Sequence, residues 1–262
     1  LLTLVPTPIG NLQDITYRAI EKFNSCDVIL CEDTRVTKQL ITLLSKTHHI
    51  DCTAQFLSFH QHNQHKRLQS FDEHFFDKDI VFVSDAGMPA ISDPGASLVR
   101  YCIEKNIEYD VLPGANAAIT AFAASGYEGA FTFYGFLPKE KRAKALQKVM
   151  QAEEFAILHE APHRIERLIQ EICAIDSQRE LFLAKEISKK FQTFYKAKAK
   201  DISLESTKGE WVVIISPRVS QKIVMSLDEI KSLDMTPKSK AKLLAKYSNK
   251  SAKEWYNELI NS

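Results

Sequence analysis

The segment SDAGMPAISDPG (84–95) uses one phrase twice, Ser-Asp-Ala-Gly and Ser-Asp-Pro-Gly, directly after the apolar run 80–83. Gly87 and Gly95 permit positive φ and close approach of a ligand to the backbone. Pro89 and Pro94 stiffen the stretch between them, so its peptide N–H and C=O groups are held outward. A rigid backbone surface of this kind suits a ligand carrying both an amine and a carboxylate, or the edge of an adenine. Ser92 or Asp93 has the chemistry to cap a helix starting near Gly95. The first half of the phrase has no helix to cap, which points it toward a ligand. Three other stretches carry turn chemistry beyond simple connection: TPIGN (7–11), CEDTR (31–35) and PGANAA (113–118). SFHQHNQH gathers His60, His62 and His65, but no Cys or carboxylate stands at ligand spacing, so no metal is expected there. A polar loop ahead of a helix is its ordinary reading, with His60, at a strand end, the one imidazole placed to act.

These stretches need a frame. Short β-branched or aromatic runs recur at 1–5, 28–31, 56–59, 80–84, 107–112, 131–136, 155–159, 181–185 and 211–216. Helical spacing fills 15–23, 39–44, 68–75 and 96–104 between them. Such alternation predicts an α/β protein with a parallel sheet buried on both faces. The later half is less regular, and 187–200 followed by 211–216 reads as mixed or antiparallel. Leu112-Pro113-Gly114 ends a strand before the small-residue helix 115–125, which sets an expected boundary between lobes 1–113 and 114–218. A third piece, 226–262, has two Ser-initiated helical patterns and a Thr-Pro start, the signature of a small helical bundle. All four special loops then fall at the carboxyl ends of strands, the edge where open α/β sheets bind ligands. A pocket is expected where they converge.

At 262 residues the chain has room for one large or two medium domains, and 45% hydrophobic with 26% charged residues is ordinary for a globular protein. Cys26, Cys31, Cys52, Cys102 and Cys173 form no Cys-x-x-Cys pair, which fits buried thiols in a reducing compartment better than a disulfide framework. No apolar run approaches the roughly 20 residues of a membrane span. A cytoplasmic location is the expectation. Net charge is +1, yet residues 216–262 hold nine Lys/Arg against five Asp/Glu. A basic tail on a near-neutral body suggests contact with something anionic. The sequence lacks Gly-x-Gly-x-x-Gly after the first strand, any Gly-x-x-x-x-Gly-Lys-Ser/Thr and any Gly-x-Ser-x-Gly. Dinucleotide dehydrogenases, P-loop NTPases and α/β hydrolases are therefore disfavoured.

Taken in order, TPIGNLQDITYRA, EDTR, SDAGMPAISDPG, PGANAAITAFAASG, GFLPK, EAPHRI and KGEWVVII resemble the RNA-modifying branch of the tetrapyrrole methylase superfamily over roughly 2–216. The resemblance implies two α/β lobes with S-adenosylmethionine in the cleft between them, a homodimer, and a helix-turn-helix-like C-terminal appendage. It implies 2′-O-methylation of a decoding-site cytidine in 16S rRNA, met within the small ribosomal subunit. Cofactor-binding positions carried over are Asp85, Ala86, Gly87, Met88 and Ile91, then Asn116 and Ala117, with Pro8 and Ile9 from the loop that closes the cleft. His159–Glu160 through Pro162, and Gly209 through Trp211, are expected to line it from the second lobe. Met88 stands where the family usually has threonine, and Asn116 replaces a hydroxyl residue. Tetrapyrrole-modifying members carry a glycine-rich first loop that TPIGNLQD lacks. Two other readings stay open: methylation of a tetrapyrrole or other small molecule, and a non-catalytic ribosome-assembly protein on the same fold.

A ribose hydroxyl is a weak nucleophile and benefits from a base. Asp14, Glu32, Asp33 and His60 are the candidates, Glu32 and Asp33 foremost. Arg35 supplies a cation for a phosphate or for holding those carboxylates. A structural ion-pair cluster at 32–35 is the alternative. Lys139, Lys141, Arg142, Lys144, Arg164 and the tail lysines are candidate phosphate contacts.

Overall fold

The computed structural model describes residues 1–72, 74–91, 94–218, 226–248 and 250–261. Ser92 and Asp93, the expected helix caps, lie outside these.

The first half alternates strand and helix: β1 (Leu2–Leu4), α1 (Tyr17–Ser25), β2 (Val28–Cys31), α2 (Thr34–His48), β3 (Gln55–Ser58), α3 (Gln64–Ser70), β4 (Ile80–Val83), α4 (Gly95–Lys105), β5 (Tyr109–Val111) and α5 (Ala117–Ser125). Its five strands are all parallel, in the order β3-β2-β4-β1-β5. β1, β2 and β4 are wholly buried, as continuous apolar runs between two helical layers must be. β5 departs from the expectation. It is shorter than 107–112 and exposed along its length, because it is an edge strand with one neighbour. Two apolar clusters, one on each face of this sheet, hold the helices: Phe23, Ile41 and Leu44 on one, Phe59, Leu98 and Cys102 on the other.

The second half comprises β6 (Phe131–Phe136), α6 (Arg142–Met150), β7 (Phe155–Glu160), α7 (Ile165–Ile175), β8 (Glu180–Lys185), β9 (Thr193–Lys198) and β10 (Trp211–Ile215). Their order is β6-β7-β10-β8-β9, with only β6 and β7 parallel. The sheet is mixed because β9 returns beside β8 without a helix and β10 inserts antiparallel between β7 and β8. One face packs on α6 and α7 through Leu146, Val149, Leu168 and Ile172. The other meets Ala118 and Ala121 of α5, with Ile9 from the first half against it.

Residues 1–218 form one compact unit and 219–262 another. The second holds α8 (Leu227–Ser232), α9 (Pro237–Lys246) and α10 (Ala252–Asn261), packed about Ile230, Leu244 and Trp255. The sequence dictates its helix starts: Ser226 makes a reciprocal capping box with Glu229, and Thr236 caps α9 with Pro237 in its first turn. No helix among the described residues is long and apolar enough to cross a membrane.

Two helix starts bear on the site. The Asp33 carboxylate accepts from the Arg35 amide at 2.8 Å, so α2 begins at Thr34, five residues ahead of its apolar repeat. Pro94 occupies the N-cap of α4 without a side-chain bond. At Gly95, a Cβ would lie 2.4 Å from Cε1 of the fully buried Phe82. Gly95→Ala should therefore cost about 1–3 kcal/mol through overpacking, read as a lowered urea midpoint with an unchanged m-value.

Candidate active site

Beyond β1 and β4 the chain does not simply diverge. Thr7 and Gly87 form an isolated antiparallel bridge, each amide donating to the other's carbonyl at 3.0 Å. The buried Thr7 hydroxyl donates to the Ser84 carbonyl at 3.3 Å, and the Ser84 hydroxyl reaches the Gly87 carbonyl at 3.4 Å. Gly87 has φ +81°, a conformation that L side chains rarely adopt, and a Cβ there would stand 3.2 Å from Cγ2 of Ile9. β1 and β4 are neighbours whose connections leave in opposite directions, toward β2 and β5. That divergence is the topological switch point at which open α/β sheets hold ligands.

A cavity of about 550 Å³ opens over this bridge. The first sheet contributes Ile9, Glu32, Ala86 to Met88, Ile91, Asn116 and Ala117. The opposite wall comes from one row across the second sheet. Strand register sets Phe136 beside His159, His159 beside Val212, and Val212 beside Ala184, and all four line the cavity. Phe133, Ile187, Trp211 and Glu210 complete that side.

Behind the wall lies a buried ion cluster. The Glu160 carboxylate, inaccessible to solvent, accepts from Arg142 Nη2 at 2.8 Å and from the Ala161 amide at 2.9 Å. Arg164 Nε stands 2.8 Å from Oε1, the oxygen that takes the Ala161 amide, at ion-pair distance but not aligned for a hydrogen bond. Arg142 also donates to Glu171 at 3.0 Å. The two cations hold the EAPHR turn against α6 and α7. Arg142 and Arg164, expected as phosphate contacts, are therefore structural: each is turned inward to a carboxylate that would otherwise be buried without a partner.

A second fastening spans the edge of the cavity. Asp14 accepts a hydrogen bond from the Ser188 hydroxyl, and Gly10 lies against the Lys189 stem. Lys189 Nζ bridges Glu186 at 3.0 Å and Glu210 at 2.8 Å.

Of the residues expected at the site, Ile9, Glu32, Ala86, Gly87, Met88, Ile91, Asn116, Ala117, Glu160 and Trp211 line the cavity. Pro8, Asp14, Asp33, Arg35, His60 and Asp85 are not among its lining residues. Asp85 accepts from the Asp33 amide at 3.1 Å and so ties the β4 loop to the β2 loop. Burial raises the Asp85 carboxyl pKa, against the opposing pull of that amide. Asp33 is gripped by the Arg35 side chain, at 2.6 Å and 3.1 Å, which drives its pKa down to about 2. Such a carboxylate is a poor proton acceptor. His60 closes a turn whose amide bonds Asn63, and its ring edges on His62 at 6.0 Å. Asn116 lines the cavity while its side chain caps α5, accepting from the Ile119 amide at 3.1 Å. Phe133, Phe136, Ala184, Ile187 and Val212 escaped the sequence reading. Their signal, alternation along second-sheet strands, names a face without saying what that face meets.

Two sheets, a switch-point cradle and a mostly apolar cavity between them define a two-lobed α/β ligand-binding protein. The sequence model of the tetrapyrrole (corrin/porphyrin) methylases matches residues 1–203, and the chain belongs to this family. The family uses S-adenosylmethionine as its methyl donor. The chain is 41% identical to a Helicobacter pylori protein (strain J99) over 98% of this chain and 96% of that one; its name is ribosomal RNA small subunit methyltransferase I. It is 42% identical to the protein of that name from Campylobacter fetus, over 99% of this chain and all of that one. Among solved structures it is similar to uroporphyrin-III-C-methyltransferase from Thermus thermophilus, with TM-score 0.56, 13% identity, and 82% and 94% of the two chains covered. A putative diphthine synthase from Entamoeba histolytica gives TM-score 0.59 at 15% identity, covering 84% and 94%. At those identities the structural likeness concerns fold alone.

Two outcomes follow. Arg35→Ala should return the Asp33 carboxyl from about 2 toward its ordinary 3.8, read by carbon-detected NMR titration; the stability linked to this shift is present above pH 4 and lost as pH falls through 2. Arg142→Met leaves the Glu160 carboxylate short of its strongest partner and should cost about 3–5 kcal/mol in denaturant unfolding.

Proposed function

We propose that the protein transfers a methyl group from S-adenosylmethionine to the 2′-oxygen of a decoding-site cytidine in 16S rRNA, within the small ribosomal subunit. The observation that carries this reading is the extent of the likeness. Similarity to the ribosomal RNA methyltransferases of Helicobacter pylori and Campylobacter fetus runs over 98–99% of the chain, through the basic C-terminal helices, whereas the family match ends at residue 203. The tetrapyrrole-modifying structure shares 13% identity with this chain, against 41–42% for those two proteins. It gives correspondingly little support for a small-molecule substrate.

The cavity fits the cofactor. Its 550 Å³ lies within the range of small-molecule sites, about 300–1,000 Å³. Gly87 lines the cavity where the methionine end would approach, together with Ala86, Met88 and the Asn116–Ala117 helix start. S-adenosylmethionine supplies, when bound, a methyl group on a positively charged sulfur. The chain's part is to align the ribose oxygen behind that carbon, so that an O–C bond forms as the C–S bond breaks; positioning of this kind provides much of the acceleration. Apolar walls at Ile9, Met88, Ile91 and Phe136 exclude water while positive charge is lost.

Glu32 is the proton acceptor in this scheme. It is the candidate base that lines the cavity; Asp14, Asp33 and His60 are not among its lining residues. Arg35, largely exposed beyond Asp33, is placed to meet a phosphate. Lys141, Lys144 and Lys148 line a shallow groove along α6 that suits RNA phosphates in the same way. The lobes 1–113 and 114–218, the 226–262 appendage as a further RNA contact, and a homodimer remain part of this proposal.

The deciding experiment is transfer of radiolabelled methyl to small subunits from a strain lacking the gene, with the label mapped to base or ribose. Label on a 2′-O-methylcytidine of the decoding site supports the reading; no transfer, with cofactor bound, overturns it. Glu32→Gln should lower kcat by about 100-fold or more while leaving S-adenosylhomocysteine affinity within a factor of about two, the split expected of a group acting on the proton.

A further inference from the structure

His159 lies in the middle of the row that forms the second-sheet wall. Its ring is held edge-on between two phenylalanines, with centroids 5.1 Å from Phe133 and 5.4 Å from Phe136. Its Nε2 is buried and has no hydrogen-bond partner in the protein. Polar atoms in native interiors are almost always paired, and an orphan one in a cavity wall marks the place of a partner that is not part of the chain. Burial lowers the imidazole pKa, against the opposing field of Glu210. The ring is therefore uncharged near neutral pH, with one nitrogen donating and the other accepting.

The two walls of the cavity offer different chemistry. The first-sheet wall presents backbone around Gly87 and the Asn116–Ala117 helix start, suited to a charged amino-acid end. The second-sheet wall presents Phe133 and Phe136, flat apolar surfaces that suit a planar ring. Glu160 adds no free polar group there, because both of its oxygens are engaged with arginines and an amide. Glu210 on the same side is bonded to Lys189, and His159 is the polar side chain set between the two phenylalanines.

We infer that His159 recognises the nucleobase of the bound cofactor, its neutral imidazole pairing with the polar edge of adenine while Phe133 and Phe136 fix the ring. The inference rests on the methyltransferase reading and adds to it a base-specificity residue. An uncharged ring is what this place requires, since an imidazolium would meet a cofactor that is itself cationic. The target cytosine carries the same class of group as the cofactor's adenine. A nucleobase is the shared chemistry of the two, and the test separates them.

Calorimetry with S-adenosylhomocysteine and with S-inosylhomocysteine, in which a carbonyl replaces the base's amine, reads the contact directly. The wild-type protein should prefer the adenine compound by at least about fivefold, the worth of a good hydrogen bond. His159→Phe keeps the ring packing, and a melting temperature close to wild type would show the fold intact. It should weaken S-adenosylhomocysteine binding and abolish the preference, with His159→Gln restoring part of both. A His159→Phe protein that binds both compounds as wild type does would overturn the inference. So would loss of discrimination between cytidine and uridine at the methylated position with cofactor preference unchanged, since that assigns His159 to the target base. A wild-type protein that binds neither compound would instead remove the cofactor site itself, and the proposed function with it.

Discussion

The Thr7–Gly87 bridge is the constraint on which the site depends. Parallel strands end with their carbonyls and amides pointing past the sheet, and nothing in a sheet obliges the following loops to meet. Here two reciprocal backbone bonds, with the Thr7 and Ser84 hydroxyls beneath them, tie the loops together over the switch point. The bridge requires a positive φ at Gly87 and brings Ile9 against it. The repeated Ser-Asp-x-Gly phrase thereby divides its labour. The first copy builds a cradle, and the second delivers Gly95 to a point where only a residue without a side chain clears Phe82.

The second sheet contributes by register. Phe136, His159, Val212 and Ala184 come from four strands far apart in sequence, yet pairing places them side by side on one face. A slip of one residue in any pair would turn that strand's contribution to the opposite face, because side chains alternate. The Glu160 cluster opposes such a slip at the end of β7. Its carboxylate is buried and its partners come from α6 and from the start of α7, so displacement would strand a charge.

The carboxylates around the cavity show how environment sorts identical chemistry into different work. Glu160 is a structural anchor, Asp33 an N-cap clamped by Arg35, Asp14 a fastening to Ser188, and Asp85 a tie between loops. Glu32 is the residue of this group whose position on the cavity suits proton transfer. Adjacent residues in the EDTR stretch thus diverge because Asp33 lies at the start of α2, where its side chain is consumed by the helix amides.

What the sequence determined was the set of elements and the edge at which they act. Apolar runs 28–31 and 131–136 are strands with those bounds, and the Ser226, Thr236 and Ser251 starts open the three C-terminal helices, because caps and periodicity are local chemistry. The four special loops were legible for the same reason, and residues of all four line the cavity. Tertiary structure alone decided which side chains face it. Arg142 reads as one more cation in a lysine-rich helix, and becomes an internal counter-ion only because Glu160 and Glu171 converge on it. His159 was expected at the cleft by resemblance alone, and its place between Phe136 and Val212 follows only from pairing with β6 and β10. Local sequence sets backbone conformation, whereas charge pairing, burial and the facing wall depend on residues brought together from far along the chain.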